Sequence, residues 1–124
     1  MKLNFLEINN LYEVLELITE TNEVAISLED GYKILKDKKI LEPSYKEILE
    51  LKENIINEAS EKKISEAERA NFIKEKLQQI TDNEINIKNF SDLLLINVNA
   101  LDGYLFNFNQ IKALMPILEY NGQN

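Results

Sequence analysis

The alternation of apolar and polar residues predicts helices through the first two-thirds of the chain. Between Phe5 and Thr19, apolar side chains recur every three or four residues, which is the spacing of one helix face. The members of that face are Ile8, Leu11, Tyr12, Leu15 and Ile18. A second helix is predicted from a Ser27 cap to about Lys38, because a serine oxygen can accept a hydrogen bond from the first helical turn.

The next two segments predict a helical hairpin. Pro43 is placed at the start of a third helix, where its missing N–H costs nothing. An apolar stripe follows, and one lysine lies within it with its aliphatic stem along the stripe. The stripe contains Tyr45, Ile48, Leu49, Lys52, Ile55, Ile56 and Ala59. The sequence "SEAE" from Ser65 to Glu68 is a capping box that opens a fourth helix, and the short link predicts that helices three and four are antiparallel.

After residue 82 the pattern becomes that of short strands. The segment "EINIKNF" alternates through Ile85, Ile87 and Phe90, as a strand with one buried face does. The apolar run "LLLINV" is typical of a buried strand, and Asp102 with Gly103 forms a turn signal. A small C-terminal sheet is therefore predicted.

Three aromatic residues, Tyr104, Phe106 and Phe108, alternate with other residues after that turn. They are predicted to form one face of the small sheet, packed on the hairpin. The alternative is an exposed interface stripe, because strand edges are often covered by pairing between protomers. A closing helix is predicted from an Asn109 cap, ending or bending near Pro116.

The predicted fold class is α+β, mainly α: a helical hairpin and short helices packed with a small C-terminal β-sheet and a closing helix. A length of 124 residues predicts a single domain, 1–124. Its helical part covers about 1–82, and the sheet and closing helix cover about 83–120. The chain shows neither a membrane-spanning run nor the pattern of a signal peptide, so we expect an intracellular protein without a membrane partner.

Composition argues against several kinds of chemistry. The chain has no cysteine and no histidine, so the usual zinc ligands and the commonest general base are missing. The three glycines lie far apart and form no phosphate loop. We therefore expect no enzyme activity, no catalytic residue, no metal site and no cofactor.

The balance of charge argues against sequence-specific nucleic-acid binding. The formal net charge is −8, and Arg69 is the single arginine among 14 basic residues. An acidic surface repels the phosphate backbone, and arginine is the residue best suited to bidentate recognition of phosphate and guanine.

A local basic cluster nevertheless stands between residues 32 and 46 and is the candidate ligand site. Tyrosines stack on rings and lysines neutralise phosphate, so this set suits a nucleotide-like ligand. The candidate ligand-binding residues are Tyr32, Lys33, Lys36, Tyr45 and Lys46. The simpler interpretation is that the lysines are solvated at the negative end of a helix and that the tyrosines are half-buried at the edge of the core.

The order of segments resembles a family of small accessory proteins encoded by tailed phages and prophages of low-GC bacteria. The matching pieces are Lys36, the step Leu41-Glu42-Pro43, "LQQITDNEINI" and "IKALMPIL". The chain departs from the family in having Glu23, Glu29 and Asp30 where basic residues are usual, and Lys52 where an arginine is usual. The resemblance implies a phage origin and a location in the host cytoplasm, without implying an activity.

These observations together predict a non-catalytic phage-type protein that acts by stoichiometric binding in host takeover or anti-defence. It would capture a host protein or sequester a nucleotide-like small molecule, and it would act as a homo-oligomer. The alternative is a virion-assembly or scaffolding component that contacts phage structural proteins.

Overall fold

The computed structural model describes residues 1–82 and 86–120, and its architecture is the predicted mainly α form of α+β. The elements are β1 (Lys2–Leu3), α1 (Phe5–Glu20), α2 (Leu28–Glu61), α3 (Glu66–Asp82), β2 (Lys88–Asn89), β3 (Ile96–Asn97), α4 (Phe108–Leu114) and β4 (Leu118–Glu119). The 3-10 helices Val98–Leu101 and Met115–Ile117 precede α4 and β4 respectively.

Helix α1 is the centre of the core. It begins with a capping box, in which Asn4 Oδ1 accepts from the Glu7 N–H at 2.8 Å and Glu7 Oε1 accepts from the Asn4 N–H at 3.0 Å. All five residues of its predicted apolar face are buried, which confirms that prediction. Helix α1 contacts α2, α3 and α4, so its buried face organises most of the molecule.

Helix α2 corrects the sequence interpretation, because the predicted second and third helices are one helix of 34 residues. It begins at the predicted cap, where Ser27 Oγ accepts from the Asp30 N–H at 3.1 Å. Pro43 lies inside the helix with its side chain exposed, so its ring points to solvent. Leu41 and Ile48, on either side of the proline, are both buried on the inward face of the helix. The free energy gained by burying them offsets the backbone hydrogen bond that Pro43 cannot donate.

The apolar stripe predicted for the second half of α2 is also only partly buried. Ile48, Ile55 and Ala59 are buried, whereas Leu49 and Ile56 are exposed. The helix therefore carries buried apolar residues on one face and exposed apolar residues on another, as far as residues 1–82 and 86–120 show.

The hairpin formed by α2 and α3 confirms the predicted connection. Ser65 Oγ accepts from the Glu68 N–H at 3.2 Å at the start of α3. Arg69 donates through Nε to the Ala59 carbonyl at 3.0 Å and through a terminal nitrogen to the Lys62 carbonyl at 3.2 Å. These bonds satisfy carbonyl groups at the end of α2, so the single arginine closes the hairpin.

The strands form two two-stranded sheets instead of one C-terminal sheet. Strand β2 pairs antiparallel with the N-terminal β1, and β3 pairs in parallel with β4. The strand predicted through Ile87 and Phe90 is reduced to the two residues Lys88–Asn89, and Ile85 lies outside the described residues. The β1–β2 sheet thus ties the region after α3 to the N-terminal strand, and the β3–β4 sheet joins the two ends of the C-terminal region.

The prediction of a strand through the three aromatic residues is wrong. Tyr104 and Phe106 nevertheless face the core while Leu105 between them is exposed, as an alternating pattern requires. Asp102 and Gly103 form the expected turn, and the Tyr104 and Phe106 rings then stack at a centroid distance of 5.9 Å while packing against the core. Helix α4 begins at Phe108, capped by Asn107 and not by Asn109 as predicted. A capping box between Asn107 and Gln110 starts this helix, which turns the third aromatic side chain outward.

Candidate functional site

The structure divides the candidate ligand-binding residues into two groups on α2. Tyr32 lies exposed on the N-terminal half, with Lys36 Nζ 5.7 Å from its ring centroid. Lys33 lies one turn from Glu29 and forms an ion pair with it at 3.7 Å. These groups remain accessible to a ligand.

The second group is already occupied by contacts within the chain. The Tyr45 ring stacks on Tyr12 at a centroid distance of 4.1 Å, and its hydroxyl donates to Glu13 Oε1 at 3.4 Å. Burial and the neighbouring Glu13 and Glu16 raise the pKa of Tyr45. Lys46 forms an ion pair with Glu42 at 3.2 Å. One face of the Tyr45 ring is therefore already covered by Tyr12, which leaves less of the ring for the stacking that the ligand hypothesis requires.

The two groups are also far apart. Tyr32 and Tyr45 are 13 residues apart in one helix, which places them about 20 Å apart along its axis at 1.5 Å per residue. A small ligand stacked on Tyr32 therefore cannot also stack on Tyr45 of the same protomer.

Asp37 is a buried carboxyl group within the basic segment of α2, between Lys36 and Lys38. Its side chain is fully buried, and Oδ1 accepts from the Leu94 N–H at 2.6 Å. Oδ2 has no hydrogen-bond partner within residues 1–82 and 86–120. Burial raises its pKa to about 6, although the Leu94 N–H and the positive charge of Lys33 both act to lower it. Asp37 thus attaches the segment after β2 to the middle of α2.

Helix α4 and the segments on either side of it carry exposed apolar residues. Phe108, Ile111 and Met115 are spaced three and four residues apart, so they lie on one side of α4 and of the 3-10 helix that follows it. Phe108 is 82% exposed and the nearby Leu105 is 98% exposed. We call Leu105, Phe108, Ile111 and Met115 the α4 surface. Of the three predicted interface residues, only Phe108 belongs to it, because Tyr104 and Phe106 pack inward.

A groove of about 550 Å³ lies between α1 and α4, next to this surface. Its lining includes the side chains of Asn10, Asn107, Asn109 and Gln110, together with Glu13 and Lys112. Amide groups both donate and accept hydrogen bonds, which is the pattern that a polypeptide main chain also presents. Asn107 and Asn109 flank Phe108, so the groove adjoins the α4 surface.

Two smaller depressions of about 280 Å³ each lie around the C-terminal end of α1. Both are lined by Thr21, Val24 and Tyr104, and one of them shares Leu17 with the amide-lined groove. Concave surface therefore continues from α4 to the beginning of α2.

No cluster of three or more acidic side chains suited to a metal ion occurs in the described ranges 1–82 and 86–120. Within the same part of the chain, no helix combines the length and the apolar character that crossing a membrane requires.

No family model, curated protein or solved structure matches this chain.

Sequence reasoning missed the α4 surface because the alternation of aromatic residues suggested a strand through Phe108. The spacing of Asn107 and Gln110 as cap and third helical residue was the signal that could have found the correct helix start. It missed Asp37 because this residue stands in the most basic segment of the chain, and only the burial of Ile34 and Leu41 on either side places it inside.

Proposed function

We propose that this protein is a non-catalytic accessory protein of the tailed-phage type that binds one host protein stoichiometrically in the host cytoplasm. Its role would be host takeover or the blocking of a host defence. The observation that carries the proposal is the α4 surface. Contiguous exposed apolar residues are unfavourable in water and commonly mark a protein-binding site.

The proposed partner contributes an extended segment that lies in the amide-lined groove. Asn10 and Asn109 would hydrogen-bond the main chain of the segment, while its apolar side chains would cover Phe108 and Met115. Large apolar anchors at the centre of an interface usually dominate its binding energy. Sequestration of a nucleotide-like molecule is less favoured, because its tyrosines and lysines are divided and Tyr45 is stacked on Tyr12.

The test begins with cross-linking of the chain in a low-GC bacterial host and purification of the captured protein. Titration calorimetry should then give one partner per chain for the unsubstituted protein. Phe108→Ser should weaken binding by at least about tenfold, which is about 1.4 kcal/mol. Tyr120→Ser removes another exposed aromatic ring, outside the α4 surface, and should leave the affinity unchanged.

A biological readout accompanies the binding measurement. Expression of the chain should raise the plating efficiency of phages that the host defence restricts, and Phe108→Ser should abolish the increase. Unchanged binding by Phe108→Ser, or loss of binding only in Lys36→Ala with Lys46→Ala, would overturn the protein-partner proposal. Incorporation of the chain into purified particles, lost in Phe108→Ser, would indicate the virion-assembly role instead.

A further inference from the structure

The segment between β2 and β3 crosses α2 without forming a helix or a strand of its own, and we call its residues 90–95 the strap. At its first residue, the Phe90 N–H donates to the Met1 carbonyl at 2.7 Å, and the Phe90 carbonyl accepts from the Met1 amino group at 3.0 Å. Its last residue precedes Ile96, which pairs with Leu118 in the β3–β4 sheet. The strap is therefore fixed at both ends.

The middle of the strap is attached through one carboxyl group. The Leu94 N–H donates to Asp37 Oδ1 at 2.6 Å, and among the described residues this is the hydrogen bond that joins 91–94 to another part of the chain. Phe90 and Leu93 pack against the core but are only partly buried. Opening the middle of the strap would break this bond and uncover part of two apolar side chains, so it costs less free energy than global unfolding.

The closed strap leaves the ionised form of Asp37 poorly compensated. Its Oδ2 is buried and has no hydrogen-bond partner within residues 1–82 and 86–120. Burial accordingly raises the pKa of Asp37 to about 6. An open strap would admit water to both oxygens, and the pKa would return towards its ordinary value of 3.8. Ionisation of Asp37 therefore favours the open strap.

One positive charge opposes this effect. Lys33 lies one turn before Asp37 on α2 and acts to lower the pKa of Asp37, while its own ammonium group is paired with Glu29 at 3.7 Å. The other charged residues near Asp37 on α2 and on the neighbouring elements are exposed or face other groups: Lys36, Lys38, Glu16, Asp92 and Glu119. Lys33 is therefore the charged residue that stabilises the carboxylate when the strap is closed.

We propose that the strap is a pH-sensitive latch, which protonated Asp37 holds closed and which opens more often once Asp37 has lost its proton. Opening exposes the carboxylate, Phe90 and Leu93 to solvent. Between pH 3.8 and about 6, opening releases one proton, so the equilibrium constant for opening should rise tenfold per pH unit and then level off, by roughly a hundredfold in total. The latch shares no residue with the α4 surface and does not depend on the proposed partner.

Amide hydrogen exchange followed by NMR tests the latch, once each rate is corrected for the intrinsic effect of pH on exchange. The opening constant at the Leu94 amide should rise about tenfold between pH 5 and pH 8. The Leu15 amide, in the buried face of α1, should exchange more slowly at both pH values. Asp37→Asn keeps an acceptor for Leu94 without a charge and should make its opening independent of pH. The same pH dependence in both proteins, or exchange of Leu94 as slow as that of Leu15, would overturn the proposal.

Lys33→Met tests the latch without changing Asp37, so the proposal stays testable if Asp37→Asn fails to fold. Loss of the positive charge should raise the opening constant at Leu94 by at least about threefold at pH 8, where Asp37 is ionised, and leave it unchanged at pH 5. The matched control Lys39→Met, at an exposed position of the same helix, should have no effect at either pH. Equal effects of the two lysine variants, or an effect of Lys33→Met as large at pH 5 as at pH 8, would contradict the latch.

Discussion

At the scale of the residue, Asp37 is the least expected feature of the core. A carboxylate at this depth loses its hydration, and the Leu94 N–H compensates only one of its two oxygens. Its negative form is consequently disfavoured in the folded state. An apolar residue would suit this buried position of α2 better. What Asp37 provides is a hydrogen bond that fixes the position of the segment around Leu94.

This burial makes stability depend on pH in a defined direction. The pKa of Asp37 is raised from 3.8 to about 6 in the folded state, so folding favours its protonated form. Its contribution to stability is therefore fully present below about pH 3.8 and is lost as the pH rises through about 6. The total change is about 3 kcal/mol for a two-unit shift.

Asp37→Asn should remove the part of the pH dependence that comes from Asp37, because asparagine carries no charge. Its side-chain oxygen can still accept the hydrogen bond from the Leu94 N–H. Urea unfolding would be measured at about pH 3.5 and pH 8, on either side of the isoelectric point of about 4.6. The stability of the variant should fall less between these values than that of the unsubstituted chain. Asp102→Asn, at an exposed position, should reproduce the unsubstituted behaviour. An equal change in the free energy of unfolding between the two pH values for all three proteins would contradict the prediction.

Two glycines provide a matched pair of substitutions with opposite expected signs. A Cβ at Gly31 would lie 3.5 Å from Ile26 Cγ2, an ordinary contact, whereas a Cβ at Gly103 would lie 2.7 Å from Val24 Cγ1. Gly31→Ala should stabilise the protein by up to about 1 kcal/mol, because alanine is the better helix former. Gly103→Ala should destabilise it by about 1–3 kcal/mol through crowding. Thermal melting of both variants would check this, and destabilisation of equal size would contradict it.

Among the elements, α2 is unusual because it continues through Pro43, a residue that disfavours a helix interior. An interior proline removes one backbone hydrogen bond and crowds the preceding turn. Pro43→Ala should therefore raise the free energy of unfolding by up to about 3 kcal/mol, measured by urea titration. The control Asn57→Ala, exposed in the same helix, should change it by less than about 0.7 kcal/mol. A proline variant no more stable than the control would indicate that the proline costs the helix nothing.

This proline also explains what the sequence could and could not predict at this scale. Local caps were readable, because Ser27 and Ser65 bond to residues three positions away. The continuity of α2 was not readable from Pro43, since proline is common at a helix start and the deciding factor is the burial of Leu41 and Ile48 on one face. Tertiary packing therefore overrides the local signal.

The same limit applies to the candidate site. The tyrosines and lysines were recognised as a group because they are close in sequence, but a helix separates residues that a loop would bring together. Which aromatic ring is free depends on Tyr12, a residue more than 30 positions before Tyr45, and its stacking cannot be inferred from local pattern. The exposed α4 surface likewise depends on where the helix starts.

In the molecule as a whole, segments that are distant in sequence are in contact. Strand β4 pairs with β3 after the chain has passed through α4, and Ile117 just before it is fully buried. Ile117→Ala should lower the free energy of unfolding by about 2–5 kcal/mol, whereas Ile87→Ala, at an exposed position, should lower it by much less. Both variants should unfold in one transition by calorimetry, as a single domain does. A separate early transition in Ile117→Ala would show that the C-terminal region folds independently.

The length of α2 has a further consequence. Its 34 residues extend about 51 Å, whereas a compact chain of this size is roughly 35 Å across. The main core includes Ile48, while Ile55 and Ala59 are buried outside it and no described residue of α3 is fully buried. Among the described residues, the hairpin tip is therefore stabilised mainly by the contact between α2 and α3, and local opening there costs less than global unfolding. Amide protons near the tip should exchange with deuterated solvent well before those of α1, which would make the tip the point where the protein begins to fray.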